Sequence, residues 1–90
     1  MQVEGQPFMI YTDYPTYGFS PKKHRPANFR LAGDARLNAR LMLVKTDKGK
    51  LPEFTVSFKG SNEQLKGKKI KEGHLEFLVQ GDSEIHIDWK

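Results

Sequence analysis

Residues 35–60 read ARLNARLMLVKTDKGKLPEFTVSFKG, and how they fold decides the architecture of the chain. Leu37, Ala39, Leu41 and Leu43 alternate with Arg36, Asn38, Arg40 and Met42, the period of a strand that turns one face to a core. A helix over 35–45 is the alternative. Asp34 would cap it, Ala, Arg, Leu and Met favour it, and Leu37, Leu41 and Val44 would share a face. The residues after Lys45 favour the strand. Asp47-Lys48-Gly49 has turn chemistry, and Phe54, Val56 and Phe58 then alternate with Thr55 and Ser57, as a returning strand would. The stretch is therefore expected to be a β-hairpin at the centre of a small sheet. Pro52 falls near the start of its second strand, where a lost donor matters least.

Towards the C-terminus, Leu75, Phe77 and Val79 alternate, Gly81-Asp82-Ser83 can turn, and Ile85, Ile87 and Trp89 alternate again. This reads as a second hairpin whose inward stripe ends on the only Trp. Between the two, Ser61, Gln64 and Gly67 have the spacing of a capping box and stop for one helical turn. Lys68–Lys71 is a lysine-rich connector with room for a short edge strand, where lysines discourage unwanted pairing.

Towards the N-terminus, Phe8-Met9-Ile10-Tyr11-Thr12-Asp13 is a first strand with two apolar faces, which predicts a central or doubly covered position. Residues 14–34 hold Pro15, Pro21, Pro26, Gly18 and Gly33, which disfavour regular structure. A long loop is expected there, with a short strand around Asn28–Leu31. The sum is a mainly β protein: a five- to six-stranded barrel or bent antiparallel sheet with one short helical turn, in a single domain over 1–90. The alternative is α+β with the helix at 35–45. The partly open five-stranded barrel of oligonucleotide-binding folds is one such architecture, but architecture alone assigns no function.

Lys and Arg total 15 against 11 Asp and Glu, for a net charge of +4. That balance draws polyanions and makes nucleic acid the first partner to consider. The chain has no cysteine, which excludes disulfides, thiolate metal sites and a cysteine nucleophile and fits a reducing compartment. The longest apolar run, Leu41–Val44, is far short of a membrane span, and residues 1–11 lack the pattern of a signal peptide. The expectation is a cytoplasmic protein without membrane contact. No phosphate loop, GxSxG or HExxH pattern occurs, so neither enzyme activity nor a cofactor is expected.

The residues with chemistry gather in the 14–30 loop. Tyr14, Tyr17 and Phe19 could stack on bases, and Lys22, Lys23, Arg25 and Arg30 could follow the phosphates; single strands are bound in this way. Arg36 and Arg40, on the outward side of the long strand, would lie roughly 13 Å apart and add two phosphate contacts. The plainer alternative makes Phe19 and Phe29 plugs that pack the loop onto the sheet and leaves the cations solvated. Lys59, Lys66, Lys68, Lys69 and Lys71 form a further basic set. Glu84, His86 and Asp88 alternate on the outward face of the last strand, an arrangement open to acid–base work of the kind a small metal-free ribonuclease performs.

The resulting expectation is a DNA- or RNA-binding module for single-stranded or distorted nucleic acid. Its rival is a protein-interaction or inhibitor module, such as a small phage or mobile-element accessory protein, that uses the aromatic loop as its contact surface. Pairing of exposed sheet edges would allow a homodimer.

Overall fold

The strand reading of the long apolar run holds. In the computed structural model, which describes residues 5–18, 26–46 and 50–90, Asn38–Lys45 is a strand and not a helix. Ala39, Leu41 and Leu43 are buried while Asn38 and Arg40 are exposed. Eight strands occur among the described residues: β1 (Phe8–Thr12), β2 (Thr16–Tyr17), β3 (Ala27–Ala32), β4 (Asn38–Lys45), β5 (Phe54–Phe58), β6 (Lys68–Lys71), β7 (His74–Gln80) and β8 (Asp82–Trp89). They form two antiparallel four-stranded sheets, ordered β1-β4-β7-β6 and β2-β3-β8-β5, which do not close into a barrel.

The inner faces of the two sheets share one core. Phe8, Ile10, Leu41, Leu43, Phe77 and Val79 come from the first sheet, and Phe29, Leu31, Val56, Ile85, Ile87 and Trp89 from the second. Phe8 bridges the layers, meeting Phe54 at 4.8 Å and Trp89 at 5.2 Å between ring centroids, both edge-on. Edge-on pairs add roughly 0.5–1.5 kcal/mol to the burial itself.

Neither expected hairpin exists. β4 pairs with β1 and β7, whereas β5 pairs with β8 in the other sheet. The 35–60 stretch therefore crosses between layers; the expected turn at 47–49 lies outside the described residues. Likewise β7 and β8 belong to opposite sheets, joined through Gly81 alone. A period of two fixes which face of a strand is buried, but not which strand lies beside it. The adjacent pairs that are consecutive in sequence are β2–β3 and β6–β7.

Gly81 shows how one residue makes the corner. It is buried, its N–H donates to the Leu37 carbonyl at 2.8 Å, and a Cβ there would sit 2.2 Å from the Asp34 carbonyl oxygen. Only a residue without a side chain fits against the 33–37 turn.

Three further expectations change. Residues 61–67 contain no helical turn: Ser61 Oγ accepts from the Glu63 N–H at 3.1 Å, a local turn, and the Leu65 N–H donates to the Val56 carbonyl at 2.8 Å. Leu65 packs on the core, and Gly67 passes so close to Phe77 that a Cβ would lie 2.7 Å from its ring. The capping signature competes here with a docked, extended chain and loses. β1 is an edge strand and not a central one, and Met9 and Tyr11 lie on the outer face of its sheet, in line with Val44 and Met42. The strand expected near Asn28–Leu31 is longer and lies inside its sheet, between β2 and β8. Lys68–Lys71 is an edge strand, fully exposed, as its lysines suggest.

Candidate nucleic-acid interface

Of the nine expected contact residues, Tyr14, Tyr17, Arg30, Arg36 and Arg40 are among those described. Phe19, Lys22, Lys23 and Arg25 lie outside the described residues. Tyr14 sits in the β1–β2 corner, partly buried and packed against the core, so its ring is not free to stack. Phe29 is buried, the plug of the plainer reading. Tyr17 is 60% exposed on β2. It stands opposite Arg30 beside a shallow groove of about 170 Å³ that Phe29, Lys59 and Glu84 also line.

Arg30, Arg36 and Arg40, expected on phosphate, hold aspartates instead. Arg30 Nη2 lies 3.2 Å from Asp82 Oδ1 across β3 and β8. Arg40, at the end of the first sheet nearest the corner, clasps Asp13 through Nε and Nη2 at 3.3 and 3.2 Å. Arg36 is not in a strand at all: it lies in the turn before β4, and its Nη2 is 2.9 Å from Asp34 Oδ2. The Asp34 carboxylate also accepts from the Arg36 N–H at 2.9 Å, so the residue suited to capping a helix caps a turn. Side-chain hydrogen bonds from Arg40, followed by its backbone N–H, hold the Asp13 carboxyl below the usual range. Arg36 does the same for Asp34. Exposed pairs of this kind are weak, but the neighbouring carboxylate offsets part of the positive charge that a phosphate would meet at each of them.

The lysines differ. Lys45, Lys50, Lys68, Lys69 and Lys71 have no carboxylate among the described residues within ion-pair distance. They collect at the far end of the first sheet, around β6 and its hairpin to β7. Register divides them. Lys68 stands opposite Glu76 and Lys71 opposite His74, whereas Lys69 stands opposite Leu75. Since directly paired residues share a face, Lys68 and Lys71 belong to the outer face, and Lys69 to the side facing the second sheet.

That outer face carries an aromatic and apolar surface that sequence reasoning misses. One line across the sheet runs Tyr11, Met42, Glu76, Lys68, and the next runs Met9, Val44, His74, Lys71. Tyr11 is 44% and Leu78 64% exposed, and the Tyr11 hydroxyl donates to Met9 Sδ at 3.4 Å. Three interstrand steps put Tyr11 and Lys68 about 14 Å apart along their line. The alternation of Met9 and Tyr11 against Phe8 and Ile10 is the available signal. It names two faces without saying which is open.

Glu84, His86 and Asp88 share the outer face of β8, but each has its own partner. Glu84 lies 3.3 Å from Lys59 Nζ, His86 Nδ1 is 2.7 Å from Asn28 Oδ1, and Asp88 Oδ1 accepts from the Trp89 N–H. Among the described residues no group of three His, Asp or Glu side chains is placed to hold a metal ion, and no helix is long and apolar enough to cross a membrane. Comparison with protein-family models, with curated proteins and with solved structures found no match to this chain.

Proposed function

We propose that this protein is a nucleic-acid-binding β module that takes single-stranded or distorted DNA or RNA on the outer face of its first sheet. Lys68 and Lys71 contact phosphate and Tyr11 stacks on a base. The observation that carries the reading is the contrast in pairing. Arg30, Arg36 and Arg40 are each held by an aspartate, while Lys68 and Lys71 are unpaired among the described residues and share a face with an exposed tyrosine. Aromatic faces with a cationic track are what single-strand binding requires.

Titration of a fluorescent oligonucleotide over a range of salt concentrations tests it. Affinity should fall with salt, by about 0.7 in log–log slope per phosphate contact. Lys68→Ala/Lys71→Ala should flatten the slope by about 1.4, whereas Arg36→Ala should leave it unchanged. No binding at low salt ends the proposal.

A second reading rests on the same face. Met9, Tyr11, Met42, Val44 and Leu78 make it apolar at its centre, and methionine-rich surfaces suit protein partners. A stoichiometric protein complex that survives nuclease and high salt would favour this interaction module over the first reading.

A further inference from the structure

A cleft of about 440 Å³ opens at the end of the first sheet opposite the Gly81 corner, between the β6–β7 hairpin and the segment that leads to β5. Lys45, Lys50 and Lys69 line it, from the end of β4, from the connector and from β6. Three lysines lining one concavity concentrate positive charge there and repel one another. Among the described residues, the carboxylate on the rim, Glu72, is not within ion-pair distance of any of them. An anion resolves that repulsion, and lysine is a common point-charge ligand for phosphate.

The turn is shaped around one of these lysines. The Lys45 N–H donates to the Gly73 carbonyl at 2.8 Å, and its side chain lies along Gly73. A Cβ at that position would approach Lys45 Cγ, Cδ and Cε to between 2.8 and 3.0 Å. Gly73 also has φ +77°, a conformation that favours glycine. The Lys45 stem is thus seated, which lowers the entropy lost when its ammonium group is used.

His74 borders the same cleft, although its register sets its side chain on the outer face beside Val44 and Lys71. Leu51 and Leu75 supply an apolar wall. The volume is in the range of small-ligand sites, roughly 300–1,000 Å³.

We infer that this cleft binds a phosphomonoester with a compact apolar or planar body, of the class of a nucleoside monophosphate, through Lys45, Lys50 and Lys69. It faces the second sheet rather than the outer surface, so it does not depend on the strand-binding face. The ligand is either a free nucleotide or the phosphorylated end of a strand, and both present the same dianion.

The test is titration of the whole protein, followed by amide chemical shifts, with adenosine 5′-monophosphate and with adenosine. Saturable shifts at Lys45, Gly73 and His74 are expected, with a dissociation constant below about 1 mM and binding at least tenfold weaker for adenosine. Lys45→Gln and Lys69→Gln should each weaken the monophosphate at least about fivefold, while Lys68→Ala/Lys71→Ala should leave it unchanged. A 5′-phosphorylated oligonucleotide that binds more tightly than its unphosphorylated twin assigns the site to strand ends; equal binding assigns it to free nucleotides. Monophosphate and adenosine that shift the protein alike, or shifts confined to other residues, overturn the proposal. Since the monophosphate arm contains no strand, its failure leaves the oligonucleotide result standing, and the reverse also holds.

Discussion

Arg40 holds Asp13 twice over: its backbone N–H donates to one carboxylate oxygen at 2.9 Å, and its guanidinium spans both oxygens. The pair ties the end of β1 to the start of β4, at the edge of the first sheet. Since Arg40 lowers the folded-state pKa of Asp13, the stability this carboxylate contributes is present above its ordinary pKa of about 4 and is lost as pH falls through the lower folded value. Asp13→Asn should therefore lower the melting temperature slightly at neutral pH and flatten the decline in acid. Thermal melts from pH 7 down to pH 2 would show this; parallel curves for the two proteins would refute it.

Two of the three tyrosines, Tyr11 and Tyr14, should separate stability from binding. Tyr11→Ala should cost about 1–3 kcal/mol of oligonucleotide affinity, the value of one stacked base, with little loss of stability. Tyr14→Ala should do the opposite, since its ring is packed on the core. Equilibrium binding and urea unfolding of both variants check the assignment, and equal effects on binding would count against it.

Gly81→Ala should be among the most damaging small substitutions. The added methyl would meet the Asp34 carbonyl oxygen at 2.2 Å and the Leu37 carbonyl oxygen at 2.9 Å, and the overpacking should destabilise by about 1–3 kcal/mol or more. Gly60→Ala, with φ +81° but nothing within 4 Å, should cost only about 1–2 kcal/mol of backbone strain. Urea midpoints would rank them, and a Gly81 variant as stable as the parent would mean the corner yields.

Trp89 is 5% exposed and meets Phe8 from the opposite sheet. Trp89→Ala should cost about 3–5 kcal/mol, a large share of what a chain this small has to spare. Chemical denaturation would measure it, and a loss under about 1 kcal/mol would show that the neighbouring rings close over the gap.

Patterns that depend on one residue and its nearest neighbours are legible in the sequence. Alternation over 38–45 and 82–89 identifies strands and their buried faces, and the lysines of 68–71 mark an edge. Partners are not legible. Asp47-Lys48-Gly49 and Gly81-Asp82-Ser83 look like hairpin turns, yet the strands on either side of each belong to different sheets, because pairing depends on residues far away in sequence. The candidate site suffers for the same reason. Arg30 and Arg40 look like free cations until the fold brings Asp82 and Asp13 to them, whereas Arg36 is held by Asp34 only two residues away. Tyr11 looks like core until the fold leaves the outer face of its sheet open.

The alternation of sheets along the chain also sets when the protein can fold. β3 and β5 are not paired with each other; β8 lies between them and pairs with both. During synthesis the second sheet therefore has no centre until the strand Asp82–Trp89 has been made, and the apolar faces of β3 and β5 must wait exposed. Closing such long loops before any contact rewards them is slow. The chain should refold far more slowly than an isolated hairpin, and its nascent form should be the state most in need of a chaperone.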